Sequence, residues 1–271
     1  MKKLSILALV FLSMTTAAFA LPVGNPAEAS LFCEKRCCVC CSDEFSVRVG
    51  FYGDYVFNRN WKTSSDRKVD YSQITTNAGY FALNYCNIAE VFTTLGATKL
   101  SFNTSLGPFN SGNTGPRFDF ESSSAFSWSV GGRATLYEYK CASLGIVGQY
   151  FSSRTIPKVL FVRTNVDDYP NPNHRIGYHE AQLGVGISYC YNPYFVPYAA
   201  VKFSRAFWKF NNETFSVTGT TATIPNFKTD KTWGYAIGTT FIPCKCDAIA
   251  ITVEGRFADE AAFHVNAQVR F

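Results

Sequence analysis

Five of the chain's ten cysteines fall within nine residues, "CEKRCCVCC" (33–41). The Cys33/Cys37 and Cys38/Cys41 spacings match those of zinc ligands. The remaining five are Cys86, Cys141, Cys190 and the Cys244/Cys246 pair of "PCKCD". Thiols in an exported protein oxidise, so no metal is assigned and all ten, Cys33, Cys37, Cys38, Cys40, Cys41, Cys86, Cys141, Cys190, Cys244 and Cys246, are disulfide candidates. Adjacent cysteines such as Cys37 and Cys38 bridge each other poorly. Their partners are therefore distant in the chain or on another molecule, and both arrangements stand. His179 beside Glu180 has the residue types of an acid–base pair, but neighbours on a strand face opposite sides. With no glycine-rich phosphate loop and no Ser/His/Asp set, no catalytic residue and no cofactor is assigned. The chain reads as non-enzymatic.

Export is written at the start. Lys2 and Lys3 precede the apolar run "LSILALVFLS" (4–13), and Ala18-Phe19-Ala20 has the small-x-small form of a cleavage site. The run is too short for an anchor, which needs roughly 18–20 apolar residues. Residues 1–20 are thus a signal peptide, and the mature chain begins at Leu21. Removing it takes the formal net charge from +5 to +3, since Lys2 and Lys3 leave with no acid. So small and dispersed a positive charge excludes a nucleic-acid surface. Aromatic residues make up 16% and charged residues 17%, a balance that favours strands.

Period-two alternation predicts ten strands, near 46–58, 75–85, 88–100, 124–138, 142–152, 178–189, 196–205, 232–242, 248–257 and 263–271. Most exceed the five or six residues usual in globular strands and suit the 9–11 needed to cross a bilayer. Their connections run alternately long and short. Every cysteine falls in a short turn or before the first strand, so all ten belong to one rim. The polar faces carry Arg48, Asp54, Arg133, Glu180, Lys202, Glu254, Arg256 and Arg270 with glycines, serines and His264. Such a face suits a wet lumen, and the apolar faces then meet lipid. Tyr85, Tyr137, Tyr139, Tyr189, Tyr191 and Tyr194 cluster by the short turns, as an interfacial girdle does. The chain ends on Phe271, the form of a barrel-insertion signal.

The expected fold is all-β: a transmembrane antiparallel meander barrel with short periplasmic turns and long extracellular loops. Residues 21–45 form a cysteine-rich periplasmic segment and 46–271 the barrel. "PKVLFVRT" (157–164) and "ETFSVTGTTATI" (213–224) read as further strands, which raises the expected count from ten to 12–16. The eight polar-face charges are the candidate pore lining, and their positive excess points to an anion preference.

Several blocks resemble the major outer membrane porin family of the chlamydiae: "LPVGNPAEASL" (21–31), "VGFYGDYVF" (49–57), "FSWSVGGRATLYE" (126–138), "YHEAQLGVGISY" (178–189), "VEGRFADEAA" (253–262) and "AFHVNAQVRF" (262–271). The resemblance implies an outer-membrane porin passing small hydrophilic solutes, assembled as a homotrimer. It also implies a structural part in an envelope held by disulfides to periplasmic cysteine-rich proteins, and a barrel of up to sixteen strands. This chain is shorter than that family's usual member, chiefly in the long loops. A mainly structural barrel with a narrow or closed lumen is the alternative reading.

Overall fold

The computed structural model describes residues 21–30, 45–63, 71–105, 117–163, 168–170, 176–192, 194–210, 214–217, 220–223, 226–243 and 249–271. The expected signal residues 1–20, the cysteines of 33–41, and Cys244 and Cys246 lie outside the described residues.

Ten strands form the wall: β1 Phe45–Arg59, β2 Tyr71–Tyr85, β3 Ala89–Ser105, β4 Ala125–Tyr139, β5 Ala142–Thr155, β6 Ile176–Tyr189, β7 Phe195–Lys209, β8 Trp233–Phe241, β9 Ile249–Phe257 and β10 Glu260–Arg270. They are the ten that alternation predicts. Each pairs antiparallel with its neighbour in the chain, and β10 returns to β1 with Val49 opposite Val269 and Tyr55 opposite Phe263. Closure gives every wall strand two partners, which is the condition for β structure in hydrocarbon. Phe271 completes the last rung: its N–H donates to the Val47 carbonyl at 2.8 Å, and the Val47 N–H donates back at 3.1 Å.

Alternation decides which way each face looks. Phe126 is 66% exposed, Val130 46% and Leu183 43%, whereas Arg133 is 6% and Glu180 3%. Oily side chains therefore form the outer skin and charges fill the interior, the reverse of a soluble barrel. The six tyrosines of the expected girdle are all exposed beside the short turns. One such turn joins β2 to β3, where the Ile88 N–H donates to the Tyr85 carbonyl at 3.0 Å. Cys86 and Asn87 there adopt φ of 51° and 54°.

The strand count corrects the expected 12–16. Pro157–Arg163 pairs with Arg117–Ser122, which extends the far end of β3, and with Asp168–Pro170. Phe227–Thr229 pairs with the end of β7 and, on its other side, with Trp61–Thr63, while Thr214–Val217 and Thr220–Thr223 pair only together. Segments of three to seven residues are too short to cross hydrocarbon. They raise the wall at the loop end rather than widen it.

The interior differs from the wet lumen that the polar faces predict. Its loop-side half holds an aromatic core of Trp61, Phe102, Phe120, Tyr178, Trp208, Phe210 and Phe227, with the Phe102 and Trp208 rings 4.9 Å apart, edge to face. Residues 21–30, which were expected in the periplasmic segment, run inside the barrel from Leu21 beside that core to Ala29 by Arg48 and Asn84, with 21–29 buried.

Arginine in place of Val185, outward on β6, should cost about 2–4 kcal/mol at mid-membrane depth. Val185→Arg is expected to lower the folded fraction in heat-modifiable gel shifts of lipid-refolded protein, with Val185→Phe as control. Equal folding of both variants would contradict the outward face.

The barrel lumen as candidate functional site

Three levels stack along the lumen. Nearest the short turns, Arg48 of β1, Glu90 of β3 and Arg133 of β4 meet. Arg48 lies 2.7 Å from Glu90, and the Arg133 Nε lies 3.0 Å from it. Glu90 and Arg133 are direct partners across β3 and β4, so strand register alone brings that pair together. Glu28, arriving from the 21–30 segment, pairs with Arg133 and accepts from the Gln268 amide.

At mid-barrel five acids surround three bases. Arg256 sits 2.6 Å from Asp54 and 2.8 Å from Glu260. Lys202 pairs with Glu260 and lies 3.0 Å from Asp259. Arg59 reaches Glu180 at 2.9 Å and Glu260 at 3.6 Å, and the Tyr178 hydroxyl donates to Glu180. Glu254 accepts from the Tyr198 hydroxyl at 2.9 Å and from the Val23 and Gly24 N–H groups at 3.0 and 2.8 Å. Every member of this level is buried. Stripping water from so many charges is tolerable only because each carboxylate has a basic or N–H partner. Above them the aromatic core closes the loop-side end.

Seven of the eight candidate lining charges, Arg48, Asp54, Arg133, Glu180, Lys202, Glu254 and Arg256, lie buried in these levels. Arg270 is half-buried at the short-turn rim, opposite Arg48. Alternation missed Glu28, Arg59, Glu90, Asp259 and Glu260. Glu90 was legible, since it lies on a recognised strand opposite Arg133; Asp259 and Glu260 precede the predicted start of β10. With these included, the described buried charges are seven acids and five bases, which reverses the expected positive excess. The void left between segment 21–30 and the wall, lined by Glu28, Tyr52, Tyr80, Arg133 and His264, is of single-water size. His264 is a polar lining residue, its Nδ1 2.8 Å from the Gly53 carbonyl oxygen. His179 points away from Glu180, its Nδ1 3.1 Å from the Tyr150 hydroxyl and 3.2 Å from the Ser152 hydroxyl.

Of the cysteines, Cys86, Cys141 and Cys190 lie among the described residues, all at the short-turn rim. Cys141 is exposed. Cys190 stands opposite it on the next strand, its N–H donating to the Cys141 carbonyl at 2.7 Å. Among the described residues no group of three or more His, Cys, Asp or Glu is placed to hold a metal.

The sequence profile described as "Chlamydia major outer membrane protein" matches residues 1–75, 116–172 and 212–271. The chain belongs to that family. Its relatives include the major outer membrane porin, serovar H, of Chlamydia trachomatis, 29% identical over 401 aligned positions, and that of serovar L1, 30% identical over 397. The major outer membrane porin of Chlamydia muridarum is 29% identical over 410 positions, and each of the three alignments covers the whole of both chains. Because the chain has 271 residues, long stretches of these porins face gaps in it. Solved structures with a similar outline include the outer membrane protease OmpT of Escherichia coli, at 14% identity, 84% and 96% coverage and TM-score 0.44. Another is an outer membrane channel of Pseudomonas putida F1, at 9% identity, 94% and 98% coverage and TM-score 0.38. This member of the family is an outer-membrane β-barrel, and its outward apolar skin suits a lipid surround.

Lys202→Met should leave Asp259 buried without its cation, a loss of about 3–5 kcal/mol. Its unfolding midpoint in urea, in detergent micelles, is expected to fall well below that of the parent. An unchanged midpoint would mean that the mid-barrel pairs do not hold the fold.

Proposed function

We propose that this barrel is a porin for passive diffusion of small hydrophilic solutes and ions across the outer membrane, with no catalytic role. The observation that carries this reading is the charged lumen, which holds twelve buried charged residues among those described in a family whose members are named porins. A membrane strand places charge on its inner face where a hydrated path runs. Seven acids against five bases favour cations over anions in that path.

A second reading has its own support. A ten-stranded barrel is nearer to the eight strands whose side chains fill the interior than to the sixteen of wide pores, and this lumen is filled at three levels. On that reading the protein is a structural barrel whose cysteine-bearing rim joins it by disulfides to periplasmic cysteine-rich partners and to copies of itself in a homotrimer. Exposed Cys141 at the rim supports a thiol within reach of another molecule.

Planar-bilayer recordings of the purified protein separate the two. Discrete steps with a cation-leaning reversal potential in a KCl gradient are expected for the porin; an absence of steps at any voltage would leave the structural reading. Intact envelopes run with and without reductant test the rim: oligomers that collapse on reduction are expected, and a monomer in both lanes would exclude cross-linking.

A further inference from the structure

We propose that the lumen wall carries a binding seat for a peptide segment, that its occupant is the chain's own residues 21–30, and that occupancy closes the channel. The last part rests on the diffusion reading; the seat and its occupant do not.

Recognition runs chiefly through the peptide's main chain, as it does in peptide-binding sites. The Gln182 side chain holds the segment on both of its functions: it accepts from the Leu21 N–H at 2.6 Å and donates to the Pro22 carbonyl at 2.7 Å. Gly24, at φ +63°, turns its own N–H and that of Val23 onto the Glu254 carboxylate. Arg48 donates to the Glu28 and Ala29 carbonyls at 3.0 and 3.2 Å, and Asn84 to the Ala29 carbonyl at 3.1 Å. Residues 21–29 are buried, including Asn25 and Glu28.

The wall is shaped for this occupant. Gly145 of β5 faces Gly186 of β6 directly, and Gly184 lies one lumen-facing position further along. A Cβ on Gly145 would stand 2.2 Å from the Pro26 carbonyl oxygen, and one on Gly184 3.0 Å from a Val23 methyl. For Gly145 the three nearest atoms all belong to Pro26, so the tightest restriction on a side chain there comes from the segment. Charge gives an independent match. Without Glu28 the short-turn level holds Arg48 and Arg133 against Glu90 alone; Glu28 brings it to neutrality.

The seat is built for exchange. With the cleavage before Leu21 that the sequence leads one to expect, the segment would be tethered at one end only. Fourteen residues, 31–44, separate Ser30 from Phe45, and a chain of that length spans up to about 46 Å, enough to leave the lumen. Its main-chain hydrogen bonds are ones that water can replace.

The test combines position-specific labelling with a reversible lock. In a Val23→Cys variant, modification of the introduced thiol by a polar maleimide is read by peptide mass spectrometry on the folded band of a heat-modifiable gel. It is expected to be slower than modification of exposed Cys141 in the same molecule. Adding Gly145→Ala should accelerate it at least tenfold. An unchanged rate at position 23 with Gly145→Ala would overturn the seat. In planar bilayers, the Val23→Cys/Gly184→Cys double variant treated with oxidised glutathione should pass no current, and dithiothreitol should restore the steps; neither single variant should respond. Equal currents from the oxidised and reduced double variant would overturn the closure. If the parent protein passes no current at all, the diffusion reading fails, and labelling at position 23 alone still decides the seat.

Discussion

Hydrocarbon offers no water to a peptide group, so each N–H and C=O in the membrane must find its partner in the chain. For a sheet this is met only when the last strand returns to the first. Here the return is made by β10 against β1, and it reaches the terminal residue, where Phe271 and Val47 exchange both hydrogen bonds. The outward apolar skin and the inward charges follow from that ring, because a closed wall has one oily and one enclosed side.

Closure with ten strands also limits the enclosed space. So narrow a lumen brings charges from different parts of the wall within contact distance: Arg256 of β9 meets Asp54 of β1, and Arg59 of β1 meets Glu180 of β6. Buried ions cost several kcal/mol each unless paired, so the interior is a set of matched charges rather than a loose polar lining. Segment 21–30 enters the same scheme. Its Glu28 and its N–H groups answer wall groups that would otherwise face an incomplete set of partners.

A diffusion path and a filled interior are compatible only if part of the filling can leave. The aromatic core belongs to the raised wall at the loop end and is held by strand pairing as well as by ring contacts. The 21–30 segment is different: among the described residues it pairs with no strand, and it lies against glycines. The two fillings therefore differ in how much of the wall must be disturbed to move them.

Period two and the alternation of long and short connections determined the barrel, the positions of its ten wall strands, its outward face and the rim position of Cys86, Cys141 and Cys190. These are features of each strand and of the order of strands along the chain, legible without knowing which residues meet in space. The sequence also placed Gly184 and Gly186 on the inner face, but could not say that Val23 and Pro26 lie against them beside wall residues Val147 and Ala200. Strand periodicity likewise suggested more strands from 157–164 and 213–224, which pair beyond the wall. What fills the lumen, which charges meet and what sign they leave were decided by tertiary structure. Those contacts join residues such as Glu28 and Gln268, 240 positions apart. Periodicity reports only which face a side chain takes; what stands opposite it depends on where the ring closes.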